Sequence, residues 1–543
     1  MKRCAKTPDL RISRAKLLVW ISLCLIFTLQ ILPAISLSQQ PTQEWVRRYS
    51  PGANLSANGL SVKQDSSGNV YILVRQGSDS TYGDYGLLKY SPSGNLLWSV
   101  KYNSPGNLDE TPVAFDVSKA GDVYITGSSG INFVYQALTV KFNSSGVLQW
   151  DRLYSGLYEG NDIAIDKSGN ILIVGNSSKL IKYNLFGDTL WTREIIINNY
   201  SNILTKLVVD DSSNVYTCGY STINNQTTNY LTVKYDSNGT LRWYSLYGVT
   251  GYGALANSIA IDSNRNVYVV GVLNIPQPGF WDNVLIKINQ NGILQWSKNY
   301  TGINNNHSCA PGPVGLSVTS DGNTILYSTI CAIGNGSDIV TLSYNNNGDT
   351  NYVRRFPTGI FGIPNSNPRM LKIDKYGSAY IVGSTLNSGV IIKYLNTGLQ
   401  HWVITTDSSS GNDIVIDSNQ IYIAGSGSYN NITNTVTIKY NQIIGILPIS
   451  NQLPEAYKIY QNYPNPFNPV TKIKFDVSGI SVAQTFLSVY DINGKEISLL
   501  VNEELKPGSY EISFNASGLS SGVYFCKISA GNFTDVKKMV LLK

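Results

Sequence analysis

The chain contains few residues that are suited to catalysis. Its 543 residues include two histidines, His307 and His401, and a Ser–His–Asp triad would have to use one of them. No Glu occurs between Glu194 and Glu455, although most glycosidases need two facing carboxylates. The numerous Asp residues lie mostly at the positions of an internal repeat. The sequence therefore predicts no catalytic residue, no metal site and no cofactor.

The candidate ligand contacts are aromatic side chains in loops that also carry Asn, Thr and Gln, a combination that suits sugars or extended peptides. Trp281 departs from the repeated Trp positions and follows Phe280 in the loop PQPGFWDN. Because the chain has 36 Tyr, burial of these rings within the domain is the alternative interpretation. The predicted ligand-binding residues are Trp281, Phe280, Tyr82, Tyr85, Tyr135, Tyr230 and Tyr252.

The cysteines provide one candidate disulfide. Cys309 and Cys331 flank a predicted hairpin and fall at the same end of it, so an oxidising compartment would allow them to form a disulfide. Cys218 lies inside a predicted strand, and we expect it to be a buried free thiol.

Residues 1–38 have the composition of a secretory signal peptide. Six basic residues precede an apolar run at 17–32, and the small residues Ser36 and Ser38 follow it. The run is shorter than the roughly 20 residues of a membrane-spanning helix, and an uncleaved N-terminal anchor is the alternative. Cleavage of residues 1–38 removes six of the 41 Lys and Arg residues and one of the 35 Asp and Glu residues, which lowers the net charge from +6 to +1. We therefore expect no nucleic-acid partner and no transmembrane segment in the mature chain.

Two short phrases repeat along residues 39–442. The first is an apolar strand, a turn with Asp and Gly, and a strand such as NVYIVG; the second resembles IKYNxxGxLxW. Each phrase is a hairpin, so one repeat holds four short strands. From Trp45 to Trp402 there are 357 residues over seven intervals, or 51 per repeat. A four-stranded unit of this length predicts an all-β protein with a β-propeller.

The ends of the repeat predict how the ring closes. Residues 44–49 (EWVRRY) form a fourth strand without its first three, and the last repeat ends with a third strand at 435–440 (TVTIKY). The first strand should therefore complete the last blade and leave no open edge. This count gives eight blades, or seven if the degenerate unit at 314–356 is not a blade.

The repeated residues are predicted to build the scaffold. The Asp of the first phrase, as at Asp65, is expected to cap its turn rather than to bind calcium, which needs six to eight oxygen ligands. The repeated Lys, as at Lys89, is expected to link blades or to stack on Trp rather than to form a ligand-binding ring. The repeated Trp residues are expected to lie between blades.

These repeats resemble the bacterial β-propeller repeat family called SBBP. The phrase at 236–243, DSNGTLRW, is also similar to the repeat of eight-bladed quinoprotein dehydrogenases. The cofactor site of those enzymes typically involves adjacent cysteines and a calcium ligand set with Glu, and this sequence has no adjacent cysteines. We interpret the second likeness as shared blade construction.

A linker at 443–454 precedes a different C-terminal unit at 455–543. Its short alternating strands and NG, PG and SG turns predict a small Ig-like β-sandwich. QNYPNPFNP, VYDINGKEI, SGVYF and KKMVLLK resemble the type A C-terminal sorting domain of the type IX secretion system. An ordinary adhesive sandwich domain is the alternative. The residues carried over from that family are Pro464, Asn465, Pro466, Phe467, Asn468, Pro469, Asp491, Gly494, Gly522, Tyr524, Lys537 and Lys538.

The resemblance implies the type IX secretion machinery as a partner and a protein that is secreted or attached to the outer cell surface of a Gram-negative bacterium. The predicted role is non-catalytic binding of an extracellular glycan or protein ligand. The alternative is a secreted enzyme on the propeller scaffold, either polysaccharide-degrading or quinoprotein-like.

Overall fold

A computed structural model describes residues 41–542 with gaps at 53–54, 78–82, 133, 198–199, 224–226, 250–252, 275–280, 302–314, 333–335, 357–366, 376, 386–387, 408, 418–419, 430–431, 443–446, 451–453, 480–482, 506 and 517–518. The chain divides into two compact units, Gln40–Ile444 and one that includes Gly445–Lys543. Every regular element in the described ranges is a β-strand. No helix among the described residues is long and apolar enough to cross a membrane.

The first unit consists of four-stranded antiparallel sheets, and all but one of those in the described residues are formed by four consecutive strands. In the described part of this unit there are eight such sheets. The strands are β1 Thr42–Tyr49, β2 Ala57–Gln64, β3 Val70–Gly77, β4 Gly83–Tyr90, β5 Leu96–Tyr102, β6 Asp109–Val117, β7 Val123–Ile131, β8 Val134–Phe142, β9 Leu148–Tyr154, β10 Gly160–Ile165, β11 Ile171–Gly175, β12 Lys179–Tyr183, β13 Thr189–Glu194, β14 Tyr200–Val209, β15 Val215–Ile223, β16 Thr227–Tyr235, β17 Leu241–Tyr247, β18 Ala254–Ile261, β19 Val267–Asn274, β20 Trp281–Ile288, β21 Leu294–Tyr300, β22 Gly315–Val318, β23 Thr324–Ala332, β24 Gly336–Tyr344, β25 Thr350–Phe356, β26 Asn367–Ile373, β27 Ala379–Ser384, β28 Ser388–Tyr394, β29 Gln400–Asp407, β30 Ser409–Asp417, β31 Gln420–Tyr429 and β32 Ile432–Asn441.

The eighth blade is assembled from both ends of this unit. Strand β1 pairs antiparallel with β32, with Trp45 opposite Lys439, and the sheet order is β30, β31, β32, β1. The predicted closure of the ring is confirmed. The degenerate repeat forms the complete sheet β22 to β25, so the seven-bladed alternative is wrong and the propeller has eight blades.

Neighbouring blades are joined by a recurring set of contacts, which we call the blade clamp. Trp98 of the first blade donates its Nε1–H to the Ser144 carbonyl of the next blade at 3.2 Å, and Lys89 Nζ donates to the same oxygen at 3.1 Å. The ring lies against Gly146, where φ is +81° and a Cβ would stand 3.0 Å from Trp98 Cδ2. The prediction that the repeated Lys and Trp link blades is confirmed, and the clamp explains the Gly of the second phrase.

The same clamp closes the ring. Trp45 Nε1 and Lys439 Nζ, which come from opposite ends of the unit, donate to the Pro92 carbonyl of the first blade at 3.3 and 3.1 Å. At the junction of the seventh and eighth blades, the Gln442 side chain replaces the usual turn carbonyl and accepts from Lys393 Nζ at 3.2 Å. Each blade edge in this region is therefore held by charge-assisted hydrogen bonds.

The repeated Asp caps the first turn of its blade. Asp65 Oδ1 accepts the N–H groups of Ser67 and Asn69 at 2.9 Å, and Oδ2 accepts the Tyr71 hydroxyl at 3.0 Å. Burial raises the pKa of Asp65, but the hydrogen bonds from Asn69, Tyr71 and Ser67 outweigh it and hold the pKa below its ordinary value. The prediction of turn capping is confirmed for this residue.

The second unit is a sandwich of two four-stranded sheets, with orders β33-β38-β35-β34 and β37-β36-β39-β40. Its core contains Phe475, Leu487 and Met539. Strand β33 lies inside the predicted linker and pairs with β38, so that part of the linker belongs to the sandwich. The strands are β33 Leu447–Ser450, β34 Lys458–Ile459, β35 Val470–Val477, β36 Ala483–Tyr490, β37 Glu496–Leu505, β38 Gly508–Asn515, β39 Gly522–Ala530 and β40 Phe533–Leu541.

Replacing Gly187 with Ala should destabilise the propeller more than replacing Gly169. Both glycines lie in the third blade with φ of +82° and +81°, so Ala is strained by about 1–2 kcal/mol at either position. At Gly187 the new Cβ would also stand 2.8 Å from Trp150 Cδ2, whereas nothing lies within 4 Å at Gly169. Such overpacking lowers stability by a further ~1–3 kcal/mol. Equal urea midpoints for the two variants would contradict the blade clamp.

Candidate functional sites: the central channel and the loop face

The first strands of all eight blades line a central channel with a cavity of about 400 Å³. Seven of these strands carry a register shift near the channel, for example between Gly59 and Ser61 in β2 and between Gly411 and Asp413 in β30. A bulge of this kind inserts an extra residue and re-aims side chains. Side chains on both sides of the bulge therefore line the channel.

Three lysines and three aspartates contribute charge to the channel region. Lys63 Nζ lies 3.7 Å from Asp116 Oδ1 of the next blade, and Lys206 Nζ lies 3.7 Å from Asp162 Oδ1 of the preceding blade. The Lys63 side chain is 40% exposed, so water reaches this pair. Burial lowers the pKa of Lys63, but the charges of Asp116, Asp413 and Asp162 outweigh it and raise the pKa above its ordinary value.

The three carboxylates also hold blades together. Asp413 Oδ2 accepts the Val62 N–H at 3.0 Å and also the Ser61 hydroxyl, which links the eighth blade to the first. Asp162 Oδ2 accepts the Leu207 N–H at 3.0 Å in the same way. In the second blade, Asp116 Oδ2 accepts a backbone N–H of the third blade at 3.1 Å. These acceptors are therefore already satisfied by the scaffold.

Lys372 differs from the other two channel lysines. Its ammonium makes no ion pair and no hydrogen bond with the described residues. Burial lowers the pKa of Lys372 and the charge of Lys63 adds to this effect, whereas the charges of Asp413, Asp162 and Asp116 offset part of it, so the pKa lies below its ordinary value. Among the channel lysines in the described part of the chain, Lys372 is the one without an ion pair.

Sequence reasoning missed the channel residues. The available signal was a charged residue at the second or fourth position before the capping Asp, where most repeats have a small or apolar residue. Neither position is charged in every blade, and no repeat-wide pattern marks the charged ones. The contacts between them depend on the closed ring.

Two of the predicted ligand residues were wrongly placed in a loop. Tyr85 and Tyr230 are 1% and 0% exposed because they lie inside the third strands β4 and β16. Their hydroxyls donate to the carbonyls of Leu138 and Val284 in the next blades, at 3.3 and 3.2 Å. Burial raises the pKa of both hydroxyls well above the ordinary value. Both tyrosines are part of the scaffold and cannot contact a ligand.

The face that carries the second-to-third strand loops and the blade-to-blade loops is called the loop face. Tyr135, at the start of β8, packs on Tyr158 with ring centroids 5.3 Å apart, and Tyr158 is 47% exposed. Trp281, the first residue of β20, is half-buried against the core of the fifth and sixth blades. The predicted contacts Tyr82, Tyr252 and Phe280 lie outside the described residues.

The cysteine predictions have two outcomes. Cys218 is a buried free thiol as expected, and burial raises its pKa to about 12, which makes it unreactive. Cys309 lies outside the described residues, and the Cys331 side chain is likewise not described, so their disulfide stays a prediction.

The four Glu residues of the propeller have structural partners. Glu44 pairs with Lys439, Glu159 Oε1 accepts the Ser128 hydroxyl, and Glu194 Oε1 accepts the Ser178 hydroxyl. Glu110 is 0% exposed, and its Oε1 accepts the hydroxyls of two serines, Ser104 and Ser129. Burial raises the pKa of Glu110 above its ordinary value. A buried carboxyl of this kind offers no surface to a substrate.

Two of the predicted sorting residues attach their loop to the last strand of the sandwich. Asn465 Oδ1 accepts the Val540 N–H at 2.9 Å, and the buried Phe467 donates its N–H to the Val540 carbonyl at 2.9 Å. The loop therefore lies along the outer edge of β40 and covers it. Lys537 and Lys538 lie in that strand, and Lys537 Nζ pairs with Asp535 at 3.0 Å.

The other sorting residues occupy turns and strand β39. Asp491 Oδ1 accepts the N–H groups of Asn493 and Lys495 at 2.9 Å, and Gly494 has a φ of +79° in the same turn. Gly522 begins β39, and the Tyr524 hydroxyl of that strand donates to the Ser520 carbonyl at 2.8 Å. In the loop, the Pro464 carbonyl accepts a hydrogen bond from the Asn462 side chain, and the Pro469 carbonyl accepts the Ala516 N–H. The side chains of Pro466 and Asn468 are exposed.

Residues 461–542 match the family model of the secretion system C-terminal sorting domain. The chain carries a type IX sorting domain. It is a secreted or outer-surface protein, as predicted. A comparison with curated proteins gives no match.

Three solved structures are similar to this chain at low sequence identity. BamB from Moraxella catarrhalis is 12% identical, with 73% of this chain and 99% of that chain covered and a TM-score of 0.42. PorZ, a surface component of the type IX secretion system of Porphyromonas gingivalis, is 11% identical, with 90% and 70% covered and a TM-score of 0.39. The Dos1 propeller is 10% identical, with 74% and 95% covered and a TM-score of 0.46.

His401 should make the stability of the propeller depend on pH. Burial, followed by the charge of Lys393, lowers the pKa of His401 to about 4, against about 6.5 in the unfolded chain. The unfolded state binds this proton more tightly, so the stabilisation is complete above pH 6.5 and is lost as pH falls towards 4, by about 2–3 kcal/mol. His401→Gln should therefore lose less stability between pH 7 and pH 4.5 than the unmodified protein. Identical losses in urea titrations would contradict this role.

Proposed function

We propose that the protein is a non-catalytic propeller that binds a glycan or protein ligand outside the cell, after export by the type IX secretion machinery. The observation that carries the proposal is the Tyr135–Tyr158 pair on the loop face. Most other tyrosine and tryptophan rings named above are held inside the scaffold. This pair keeps one ring about half exposed without a covering element among the described residues.

Polar groups stand beside the aromatic pair. Arg75 lies 3.1 Å from Asp109 Oδ1, which also accepts the Gly83 N–H at 2.8 Å. The Asp109 charge contributes to a raised pKa of Tyr135, after burial, which places the carboxylate near that hydroxyl. Aromatic faces beside a few fixed hydrogen-bonding groups are typical of sites that bind sugars or peptides.

The scarcity of accessible acids and bases supports a non-catalytic role. Each propeller Glu has a structural partner, and His401 is largely buried with a pKa of about 4, so it is uncharged at neutral pH. No group of three or more His, Cys, Asp or Glu in the described ranges could hold a metal ion. We therefore propose binding of the ligand without its chemical conversion.

A glycan and peptide array tests the proposal with three variants of the full chain. Tyr158→Ala and Trp281→Ala should each weaken the strongest signal by about tenfold or more, since aromatic contacts dominate such interfaces. Tyr244→Ala is the matched control, because Tyr244 is also 47% exposed but lies on the outer strand of the fourth blade.

Binding that is indifferent to Tyr158→Ala and Trp281→Ala would contradict the loop-face site. Turnover of arrayed polysaccharides by the same preparation would instead support the alternative function, a secreted enzyme on the propeller scaffold.

A further inference from the structure

The third blade departs from the repeat at one buried aromatic position. In six of the eight blades, the second strand carries a Tyr whose ring lies against the Trp of the same blade, with ring centroids 5.9 to 6.4 Å apart. The third blade has Leu172 at this position, and Leu172 packs in one core cluster with Trp191. Trp191 therefore lacks the tyrosine neighbour of the equivalent tryptophans. The six tyrosines are Tyr71, Tyr124, Tyr216, Tyr268, Tyr380 and Tyr422.

The repeated tyrosine also connects its blade to the next one. The Tyr71 hydroxyl donates to the Gly121 carbonyl of the second blade at 3.3 Å. The Tyr268 hydroxyl of the fifth blade donates to the Asn346 side chain of the sixth blade at 3.1 Å. Because Leu172 has no hydroxyl, this contact cannot form between the third and fourth blades.

A second contact between blades is also missing at this junction. In the first turn of the fifth blade, Arg265 donates its Nη2–H to Ser212 Oγ of the fourth blade at 2.8 Å. The fourth blade has Ser213 at the position of Arg265, and the φ values of the two residues are +60° and +63°. The Ser213 side chain is too short to reach the third blade in this way.

A groove of about 540 Å³ lies at the junction of the third and fourth blades. It opens on the face that carries the first-to-second and third-to-fourth strand turns, which lies opposite the loop face and which we call the turn face. The sixth blade, which has Ile325 in place of the repeated Tyr, also borders a groove, of about 330 Å³. The loss of the tyrosine therefore accounts for the opening.

The groove exposes an indole that the clamp leaves partly free. The Nε1–H groups of Trp98 and Trp150 donate to carbonyls of the next blades at 3.2 and 3.1 Å. Trp191 is half-buried in the groove lining, and its Nε1–H makes no hydrogen bond with the described residues. Leu190 beside it is 50% exposed. An apolar surface and an available donor thus stand side by side.

The remaining lining is polar and carries no net charge. Asp166 and Lys182 are its charged residues among those described, and they pair at 2.8 Å with side chains that are 1% and 5% exposed. Ser and Asn side chains complete the lining, and several of them make no hydrogen bond with the described residues. These are Ser168, Ser213, Ser237 and Asn238.

We propose that this groove binds a neutral sugar ring, with the C–H face of the ring against Trp191 and Leu190 and its hydroxyl groups on the Ser and Asn side chains. The groove volume lies within the range of small-molecule sites, roughly 300–1,000 Å³. An ionic ligand would find the charged groups of the lining already paired. The site is separate from the loop face and does not depend on the binding proposed there.

Saturation-transfer NMR titrations of the full secreted chain test the proposal with three methyl glycosides: β-D-glucopyranoside, β-D-galactopyranoside and α-D-mannopyranoside. At least one should bind. Leu172→Tyr restores the ring of the other blades and should weaken this binding by about tenfold or more. Ile325→Tyr makes a comparable change in the sixth blade and is the matched control, which should leave binding unchanged.

A second closing variant keeps the test valid if Leu172→Tyr unfolds. Ser213→Arg copies the contact of Arg265 and should place a guanidinium on Ser168, again weakening binding by about tenfold or more. Its fold should persist, because Arg265 occupies the equivalent turn position with nearly the same φ. Circular dichroism melts show which variants are folded.

Unchanged glycoside binding in a folded closing variant would overturn the proposal, as would the absence of binding by all three glycosides. Tighter binding of para-cresol than of any glycoside would also overturn it, because the groove would then prefer an aromatic ring. Glycoside binding that is lost in Tyr158→Ala but kept in Leu172→Tyr would assign the sugar to the loop face and overturn the turn-face site alone.

Discussion

The propeller depends on one contact between neighbouring blades: a tryptophan ring that lies against the glycine of the next turn. In the second blade, Trp150 lies under Gly187 and donates its Nε1–H to the Leu185 carbonyl at 3.1 Å. Arg152 donates to the Gly187 carbonyl at 2.8 Å from the same strand. In the sixth blade, Tyr352 replaces the tryptophan and lies against Gly398, so the contact survives the loss of the indole. A ring of repeated units closes because each unit ends in a group that fits the next.

This constraint determines which residues are available for function. The repeated Trp, Lys, Asp and Gly are occupied by the clamp and the turn caps, so recognition falls to positions that differ between blades. Two such places stand out: the exposed aromatic pair on the loop face and the mixed charges of the channel. In both, the scaffold fixes the backbone and the individual blade supplies the side chain.

The sequence was sufficient to predict the closed ring of blades but not the residues that line its central channel. Trp45 belongs to the same 51-residue spacing as the later tryptophans, so closure by β1 follows from the spacing alone. Tyr85 was misplaced because GDYG lacks the apolar alternation of a strand, although it begins β4. Bulges in the first strands also shift the inward side of each strand, so alternation could not assign Lys63 or Lys372 to the channel.

The pairing of the channel charges required the closed structure. Lys63 and Asp116 are 53 residues apart and come from different blades, and Asp413 reaches Val62 only across the closure. The sorting domain, by contrast, could be recognised from the sequence alone. Its short motifs are visible in the sequence whether their role is local, as for the Asp491 turn cap, or long-range, as for the Asn465 contact with Val540.

The central claim is that the ring closes by the same clamp that joins its internal blades. Trp45 at the closure and Trp150 within the ring are both 8% exposed and both stand 2.8 Å from the Cβ position of a turn glycine. Urea unfolding of Trp45→Ala and Trp150→Ala tests the claim most directly. The account predicts similar losses of about 3–5 kcal/mol for the two variants. An unchanged midpoint for Trp45→Ala, beside a large loss for Trp150→Ala, would contradict it.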